Sequence, residues 1–216
     1  MDNESSYSVD DADLDNEYCK VILVGESGVG KTSIINRFIK QQFTRDVMSS
    51  TGGTFSTKKI EYDIDDKKKT ISFEIWDTAG QERYRSMAKM FFKDAICAII
   101  VYDITNKKSF EEIKNYWVNE VKNNGPEKIM IYIVGNKYDL YLEEQVNEEE
   151  ARVFAQEVNA DFSTTSALSS KGIDDIFWDI GKKYLQNCCD CNEQSLKKRS
   201  QIKVDPKNMA KRKCCK

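Results

Sequence analysis

The chain contains no histidine, and its 216 residues include only two prolines and ten glycines. A zinc site would therefore have to use cysteine and acidic ligands, and Cys188, Cys189 and Cys191 have no evident fourth partner. We interpret these three cysteines as free thiols. The scarcity of proline and glycine excludes a low-complexity linker inside the chain. The longest apolar run, residues 95–102, is far shorter than the ~18 residues of a membrane span.

Charge is distributed unevenly along the chain, although the net charge is only −3. Residues 1–17 carry seven acidic and no basic side chains, whereas residues 187–216 carry nine basic and three acidic ones. Such charged ends are typical of disordered arms. We therefore expect an acidic arm at 1–16, a folded domain at 17–186 and a flexible basic tail at 187–216. The first residues lack the apolar segment of a signal peptide, which predicts a cytoplasmic protein with reduced cysteines.

Apolar strand patterns alternate with amphipathic helix patterns from residue 18 onward. The predicted strands are 20–24, 56–62, 70–76, 96–102, 129–134 and 161–164. The predicted helices are 32–41, 82–92, 109–123, 147–159 and 173–186. The charged residues 65–69 predict a hairpin turn, so the second and third strands should be antiparallel. The pattern predicts an α/β fold with a doubly wound, mainly parallel six-stranded sheet, one antiparallel edge strand, and ligand loops at the carboxyl ends of the strands.

The loop after the first strand has the pattern G-x-x-x-x-G-K-T and leads into a helix. Its glycines let the backbone curl so that successive N–H groups point at an anion, and the helix N-terminus adds its positive dipole end. Lys31 would reach the outer phosphates of a nucleotide, and the Thr32 hydroxyl would ligate Mg²⁺. The alternative is a glycine turn that merely precedes a helix. The candidate phosphate-binding residues are Ser27, Gly28, Val29, Gly30, Lys31, Thr32 and Ser33.

An acidic residue, Asp77, ends the third predicted strand and shortly precedes Gly80 and Gln81. An acid at a strand end near a phosphate loop can hold Mg²⁺, and Gly80 lets the backbone N–H approach a terminal phosphate. The Gln81 amide can both donate and accept, which suits orienting an attacking water. Gln81 and Lys31 are therefore the candidate catalytic residues. An ordinary Asp–Thr turn is the alternative for this segment.

A second polar motif, with Asn136, Lys137 and Asp139, follows the fifth strand. A carboxylate can accept from two N–H donors, and guanine, unlike adenine, offers such a pair on N1 and N2. We expect Asp139 to select guanine, while Asn136 and Lys137 brace the base and stack on it. A solvated turn is the alternative. The backbone N–H groups expected at the O6 atom of the base are those of Ser166, Ala167 and Leu168.

Residues 17–186 resemble the G domain of small Ras-like GTPases, a P-loop NTPase with the small G-protein fold. Within that group they are similar to the Rab family. The markers are WDTAGQERYR at 76–85, FFKDA at 91–95, YDIT at 102–105 and two cysteines near the C-terminus. The resemblance implies a GDP/GTP switch that hydrolyses GTP, holds Mg²⁺ at the phosphates and regulates vesicle-mediated membrane trafficking.

Two segments depart from the family pattern. In the first switch, an ungapped count from Lys31 places the magnesium-binding threonine of the family on Ser50; a shift of one residue would use Thr51, and we prefer Ser50. In the base loop, Leu168 replaces the usual lysine of the S-A-K pattern. The resemblance implies that Phe43 packs on the edge of the guanine.

The resemblance also implies partners: an exchange factor, a GAP, a GDP-dissociation inhibitor, a prenylation escort protein and effectors. We expect a monomer that does not bind nucleic acid. No arginine of the switches is clearly placed as a finger, so intrinsic hydrolysis should be slow. Phe55, Trp76 and Phe91 match a Rab effector-binding cluster, although aromatic residues of this kind are also typical of a hydrophobic core.

Cys214 and Cys215 follow the basic run 211–213 and lie one residue from the end of the sequence. This arrangement resembles the doubly geranylgeranylated ends of Rab proteins, and two prenyl chains anchor a protein stably. Basic residues near an anionic leaflet add ~1 kcal/mol each. The resemblance therefore implies a peripheral protein on the cytosolic face of an internal membrane. A solvated tail or a nuclear signal is the alternative.

Two other functions compete with a GTP-hydrolysing switch. An ATP-using P-loop kinase would share the phosphate loop, but the motif with Asn136, Lys137 and Asp139 argues against it. A nucleotide-bound scaffold with little hydrolysis would follow if the divergent first switch no longer closes.

Overall fold

The computed structural model describes residues 16–44, 54–64, 67–78 and 88–201 of the chain. The strands in these ranges are β1 Asn16–Val24, β2 Thr54–Ile64, β3 Lys67–Asp77, β4 Cys97–Asp103, β5 Met130–Asn136 and β6 Asp161–Thr164. They form one six-stranded sheet with the spatial order β2-β3-β1-β4-β5-β6. The edge strand β2 is antiparallel to β3, and the other neighbours are parallel. The predicted strand number and the antiparallel edge strand are therefore confirmed.

The helices in the described ranges are α1 Lys31–Lys40, α2 Ala88–Phe92, α3 107–124, α4 Glu148–Glu157 and α5 Ile173–Gln201. The α3 helix consists of an α-helical segment Lys107–Glu112, a π-helical segment Ile113–Trp117 and an α-helical segment Val118–Asn124. A 3₁₀-helix, Tyr138–Glu143, follows β5. In the part of the chain that the structure describes, no helix has both the length and the apolar character needed to cross a bilayer.

The two faces of the sheet carry separate hydrophobic cores because successive side chains of a strand point to opposite faces. In β1, Val21 and Leu23 belong to one core, and Ile22 and Val24 to the other. Helices α1 and α5 complete the first core, whereas α2, α3 and α4 complete the second. The central strand β4 is consequently buried along its whole length. Helices on both faces of a mainly parallel sheet confirm the doubly wound α/β fold.

Three phenylalanines fasten α1 and α5 to the sheet. The rings of Phe38 in α1 and Phe177 in α5 stack with their centroids 3.7 Å apart. Phe73 of β3 packs edge-on against both, at 6.3 Å from Phe38 and 5.9 Å from Phe177. All three side chains are buried. The helix that follows the loop after β1 is therefore anchored in the core rather than free to shift.

The topology of the sheet fixes where its loops meet. Strand β1 lies between β3 and β4, so the chain leaves β1 toward one side of the sheet and later returns to the other side. At such a point the loops of an open α/β sheet diverge and leave a crevice outside the carboxyl ends of the strands. The segments that follow β1, β3, β5 and β6 all begin at this end of the sheet.

The hairpin between β2 and β3 differs from the prediction. The two strands pair from Thr54 opposite Asp77 to Ile64 opposite Lys67, so residues 67–69 lie in β3 rather than in a turn. Pairing of β3 with β1 begins only at Thr70. Among the described residues, 67–69 therefore have a neighbouring strand on one side alone, and charged lysines are typical of such a sheet edge.

Two helices also differ from their predicted bounds. Helix α3 begins at Lys107 rather than at 109, and Asn106 caps it, because its side-chain oxygen accepts from the Ser109 N–H at 3.4 Å. Helix α5 continues to Gln201 instead of ending at 186, since residues 187–201 contain no glycine or proline that would stop it. Of the helix predicted at 82–92, residues 82–87 lie outside the described ranges. The division into arm, folded domain and tail stays a prediction.

Phe177→Ala should lower the free energy of unfolding by about 3–5 kcal/mol, because it removes a buried ring and leaves a cavity beside Phe38 and Phe73. Trp178→Ala is the matched control on the same helix. Its ring is 49% exposed and stacks on Tyr62 at 4.4 Å, so its loss should cost about 1 kcal/mol. Urea unfolding in one buffer measures both variants. Equal losses would contradict the burial of Phe177 between Phe38 and Phe73.

Candidate functional site

The loop between β1 and α1 depends on glycine at two crowded positions. The backbone is left-handed at Gly25, with φ of 137°, and at Gly30, with φ of 99°. A Cβ atom on Gly25 would lie 2.3 Å from the Val101 carbonyl oxygen, and one on Gly30 would lie 2.2 Å from Nδ2 of Asn136. Both distances are far inside van der Waals contact. The glycine pattern therefore lets the loop lie directly over the ends of β4 and β5.

Lys31, the first residue of α1, folds back over this loop. Its Nζ donates to the carbonyl oxygens of Gly25 at 2.8 Å and Glu26 at 2.9 Å, and the residue is buried. Burial lowers the pKa of Lys31 from 10.5 to about 8, and the nearby carboxylates of Asp77 and Glu26 oppose that shift. The ammonium is therefore still charged at pH 7, at the mouth of a loop lined by backbone groups.

Thr32 and Asp77 come together across the crevice. The Thr32 hydroxyl donates to Oδ2 of Asp77 at 2.5 Å, although the two residues are 45 positions apart. Asp77 is buried at the end of β3. The next residue, Thr78, fixes this strand end to β1, because its hydroxyl donates to the Leu23 carbonyl at 2.6 Å. The two residues predicted as oxygen ligands thus meet with hydroxyl and carboxylate in contact, one from the first turn of α1 and the other from the end of β3.

The side-chain amide of Asn136 joins the end of β5 to two loops. Its Nδ2 donates to the carbonyl of Val29 at 2.8 Å, and its Oδ1 accepts from the Thr165 hydroxyl at 3.1 Å. Asn136 is only 1% exposed. Val29 lies in the loop after β1, Asn136 ends β5, and Thr165 follows β6. The motif predicted to bind a base is therefore hydrogen-bonded directly to the loop predicted to bind phosphates.

Lys137 has a left-handed backbone, with φ of 67°, and its side chain turns toward β4. Its Nζ lies 2.6 Å from Oδ2 of Asp103. The other carboxylate oxygen of Asp103 accepts from the backbone N–H and the hydroxyl of Thr105, at 2.9 and 2.7 Å. Asp103 is thus fixed from both sides and holds the Lys137 stem in one direction.

Asp139 and Ser166 meet at the far side of the same crevice. The Ser166 hydroxyl donates to Oδ1 of Asp139 at 2.5 Å, and it accepts from the backbone N–H of Ser169 at 3.1 Å. The backbone of Tyr138 also donates to the Thr165 carbonyl at 3.0 Å. The loop after β5 and the loop after β6 are therefore joined by side chains and by backbone.

Two contributors to this arrangement were missed by the sequence analysis. Arg37 in α1 donates through Nε to the Ala167 carbonyl at 2.8 Å and through Nη2 to the Leu168 carbonyl at 2.9 Å. Asp103 was noted only as part of a family marker, not as the partner of Lys137. The sequence showed only that Arg37 is a basic residue near the end of a helix and that Asp103 is an acid at a strand end. Neither pattern indicates which residue it contacts.

The other predicted site residues make none of the contacts given above, or they lie outside the described residues. Ser27 and Gly28 are exposed, whereas Ser33 is half-buried on the first turn of α1. Phe43 is half-buried and packs against the core beneath α1 and α5, and its contact with a base stays a prediction. The predicted site residues that lie outside the described ranges are Ser50, Gly80, Gln81, Cys214 and Cys215.

The three aromatic residues predicted as an effector surface form a continuous row. The rings of Phe55 and Trp76 have centroids 5.2 Å apart, and those of Trp76 and Phe91 are 5.9 Å apart. Phe55 is 50% exposed, while Trp76 and Phe91 pack partly against the second core. Nζ of Lys20 lies 4.9 Å from the Trp76 ring centroid. The row is therefore partly core and partly surface.

Gly30→Ala should destabilise the protein more than Gly28→Ala, although both residues have a positive φ. Among the described atoms, none lies within 4 Å of a Cβ on Gly28, so that variant should cost only the ~1–2 kcal/mol of left-handed strain. Gly30→Ala should lower the free energy of unfolding by about 1–3 kcal/mol beyond that strain, because the new Cβ forces Asn136 to release the Val29 carbonyl. Thermal unfolding compares the two variants. Equal stability would mean that the Asn136 contact contributes nothing.

Comparison with known proteins gives a consistent result. The Ras family model matches residues 20–186. The Ras-related protein Rab-22A of Mus musculus is 39% identical over 196 residues, which are 91% of this chain and 97% of that protein. The Ras-related protein RABF2a of Arabidopsis thaliana is 42% identical over 168 residues, covering 78% of this chain and 82% of that protein. The GTP-binding protein ypt5 of Schizosaccharomyces pombe is 42% identical over 165 residues, 76% of each chain.

The family match runs from Lys20 in β1 to Gln186 in α5, so it includes every loop of the crevice. The predicted family is therefore confirmed, with guanine nucleotides as ligands and with regulators and effectors as the general class of partners. The chain belongs to the Ras family as a Rab-like small GTPase, a GTP hydrolase that acts as a GDP/GTP switch in vesicle-mediated membrane trafficking.

Proposed function

We propose that the loops after β1, β5 and β6, which meet at Asn136, form a single guanine-nucleotide site, with the phosphates at Lys31 and the base at Asp139. The observation that carries this proposal is the buried amide itself: Nδ2 of Asn136 lies 2.8 Å from the Val29 carbonyl, while Oδ1 accepts from Thr165. A phosphate loop and a base loop held in contact in this way can be occupied by one nucleotide.

The phosphate end of this site uses backbone N–H groups and one cation. Lys31 donates to carbonyls of its own loop, so its ammonium is already directed at the concave side of that loop. Because its pKa is about 8, the ammonium is charged at neutral pH and favours an anion. The proposed phosphate ligands are Lys31 and the backbone N–H groups of residues 27–33.

A magnesium ion fits the donors beside the phosphates. Thr32 and Asp77 supply a hydroxyl and a carboxylate, the hard oxygen ligands that Mg²⁺ prefers, and they lie 2.5 Å apart. Ser50 is the proposed third protein ligand; it lies outside the described residues. Bound Mg²⁺ would neutralise negative charge on the phosphate oxygens. On the protein side, Thr78 holds Asp77 in place through its bond to Leu23.

The base end of the site uses side-chain geometry. Asp139 would accept from N1–H and N2–H of guanine, since a carboxylate has about four acceptor sites and Ser166 occupies one of them. Lys137 would lie along the base, held in direction by Asp103. Ala167 and Leu168 would present backbone N–H groups, and Phe43 would cover the edge of the base.

Hydrolysis in this proposal needs no covalent intermediate. Gln81 would orient a water molecule toward the γ-phosphate, while Lys31 and the loop N–H groups stabilise the charge that spreads over its oxygens. We expect slow intrinsic turnover and acceleration by a GAP that supplies an arginine. Loading by an exchange factor and extraction by a GDP-dissociation inhibitor complete the proposed cycle. The aromatic row of Phe55, Trp76 and Phe91 is the proposed contact for effectors.

Gln81→Leu should keep the protein in its GTP form. Leucine preserves the bulk of glutamine but cannot donate to or accept from water, so GTP binding should persist while the single-turnover hydrolysis rate falls about 10-fold or more. Gln156→Leu, an exposed change on α4, is the matched control and should hydrolyse GTP like the parent. Equal rates in the parent and Gln81→Leu would remove Gln81 from the mechanism.

We further propose that Cys214 and Cys215 are the points of prenylation, supplied through an escort protein, and that the protein lies on the cytosolic face of an internal membrane. The support is the position of both cysteines after the basic run 211–213. Each buried CH₂ of a prenyl chain contributes about 0.8 kcal/mol, so two chains dominate over the ~1 kcal/mol from each basic residue.

Changing Cys214 and Cys215 together to Ser should release the protein from membranes without altering GTP affinity, because only a salt-sensitive charge attraction remains. Changing Cys188 and Cys189 to Ser is the matched control and should leave membrane binding intact. The measurement is fractionation in low and high salt, with mass spectrometry of the C-terminal peptide. A double variant that stays on membranes at high salt, or an unmodified peptide from the membrane fraction, would contradict the proposal.

A further inference from the structure

A single arginine connects the helix after the phosphate loop to the loop after β6. Arg37 lies in the last turn of α1, and its guanidinium donates to the carbonyls of Ala167 and Leu168, at 2.8 and 2.9 Å. A third N–H, on Nη1, donates to the carbonyl of Gln41 at 3.0 Å. These three hydrogen bonds fix the orientation of the guanidinium. The two that reach Ala167 and Leu168, more than 100 residues away in sequence, hold the loop after β6 against the end of α1.

By holding a carbonyl, Arg37 also determines the direction of the N–H in the same peptide group. The peptide bonds of the described residues are trans, so the N–H of a peptide group points away from its carbonyl. The carbonyl of Leu168 faces Arg37, and the N–H of the same peptide group belongs to Ser169. That N–H donates to the Ser166 hydroxyl at 3.1 Å. Arg37 therefore orients the donor that holds Ser166.

The chain of contacts continues from Ser166 to the base end of the site. The Ser166 hydroxyl accepts from Ser169, so its own hydrogen is directed at Oδ1 of Asp139, 2.5 Å away. A hydroxyl that is held on its acceptor side cannot rotate freely away from the carboxylate. The direction of the Asp139 carboxylate thus depends on a peptide group that Arg37 holds.

We propose that Arg37 is a positioning residue for guanine specificity: it acts through the Leu168–Ser169 peptide group and Ser166 to hold the Asp139 carboxylate in the direction that accepts from N1–H and N2–H of the base. This inference rests on the proposed role of Asp139. The guanidinium shape matters, because a lysine ammonium in the same place is a point donor and does not match two consecutive carbonyls at once.

The test compares GDP with IDP, whose base lacks the 2-amino group and so makes one bond fewer to Asp139. We take the IDP dissociation rate divided by the GDP dissociation rate, both measured on the full chain, as the measure of specificity. Arg37→Ala should speed GDP release about 10-fold but IDP release only about 2–3-fold, so the ratio falls. Arg37→Lys should lower the ratio as well, though less. Arg152→Ala, an exposed helical arginine paired with Glu148, is the matched control and should leave the ratio unchanged.

A double-variant cycle separates positioning from general support of the fold. If Arg37 acts through Ser166, Arg37→Ala should change the ratio little when Ser166→Ala is already present. Equal acceleration of GDP and IDP release by Arg37→Ala, or the same fall of the ratio with and without Ser166, would overturn the inference. Asp139→Asn tests the underlying assignment separately: if it leaves the ratio unchanged, the proposed base site is wrong, whereas a fall in Asp139→Asn without a fall in Arg37→Ala rejects Arg37 alone.

Discussion

The buried side-chain amide of Asn136 is the contact on which the arrangement of the crevice depends. It donates to Val29, accepts from Thr165 and belongs to the end of β5, so three chain segments meet at one residue. A buried amide that loses its partners costs about 1–3 kcal/mol for each group left unpaired. Displacing any one of these segments would break a hydrogen bond of Asn136, so their relative positions are fixed. Gly30 follows from the same contact, because any Cβ at that position would occupy the space of the Asn136 nitrogen.

The Asn136 contact can fix the positions of the loops only because the sheet beneath it is rigid. Strands β4 and β5 are buried on both faces, and α1 is anchored through the stacked rings of Phe38 and Phe177. The loops start from strand ends whose relative positions are set by parallel pairing, for example Asp103 opposite Asn136. A close-packed core has low compressibility, so the strand ends keep their relative positions. The precision of the crevice therefore comes from the sheet, and its chemistry comes from the loops.

Sequence reasoning predicted the fold and the loops because both depend on local patterns. In a parallel sheet the loops that lead from a strand into the next helix all lie at the carboxyl ends of the strands, and glycine, an acid or an amide at those positions marks a ligand site. It did not predict the pairs Arg37–Leu168 and Lys137–Asp103, because periodicity carries no information on which loops touch. The predicted end of α5 at 186 was also wrong: the charge pattern suggested a tail, but residues 187–201 contain no glycine or proline, and the helix continues to Gln201.

The two ends of the proposed site are built in different ways, and this explains where the chain can depart from its family. At the phosphate end the proposed ligands are mainly backbone N–H groups, so the loop depends on its backbone conformation. Any other residue at Gly25 or Gly30 would be strained by the positive φ and would collide with a neighbouring atom. At the base end the contacts run through side chains and carbonyls. Leu168 contributes its carbonyl to Arg37, and its side chain is 44% exposed. Replacement of the family lysine by leucine therefore removes none of the contacts that hold this loop, which is why the departure at Leu168 is compatible with an intact base site.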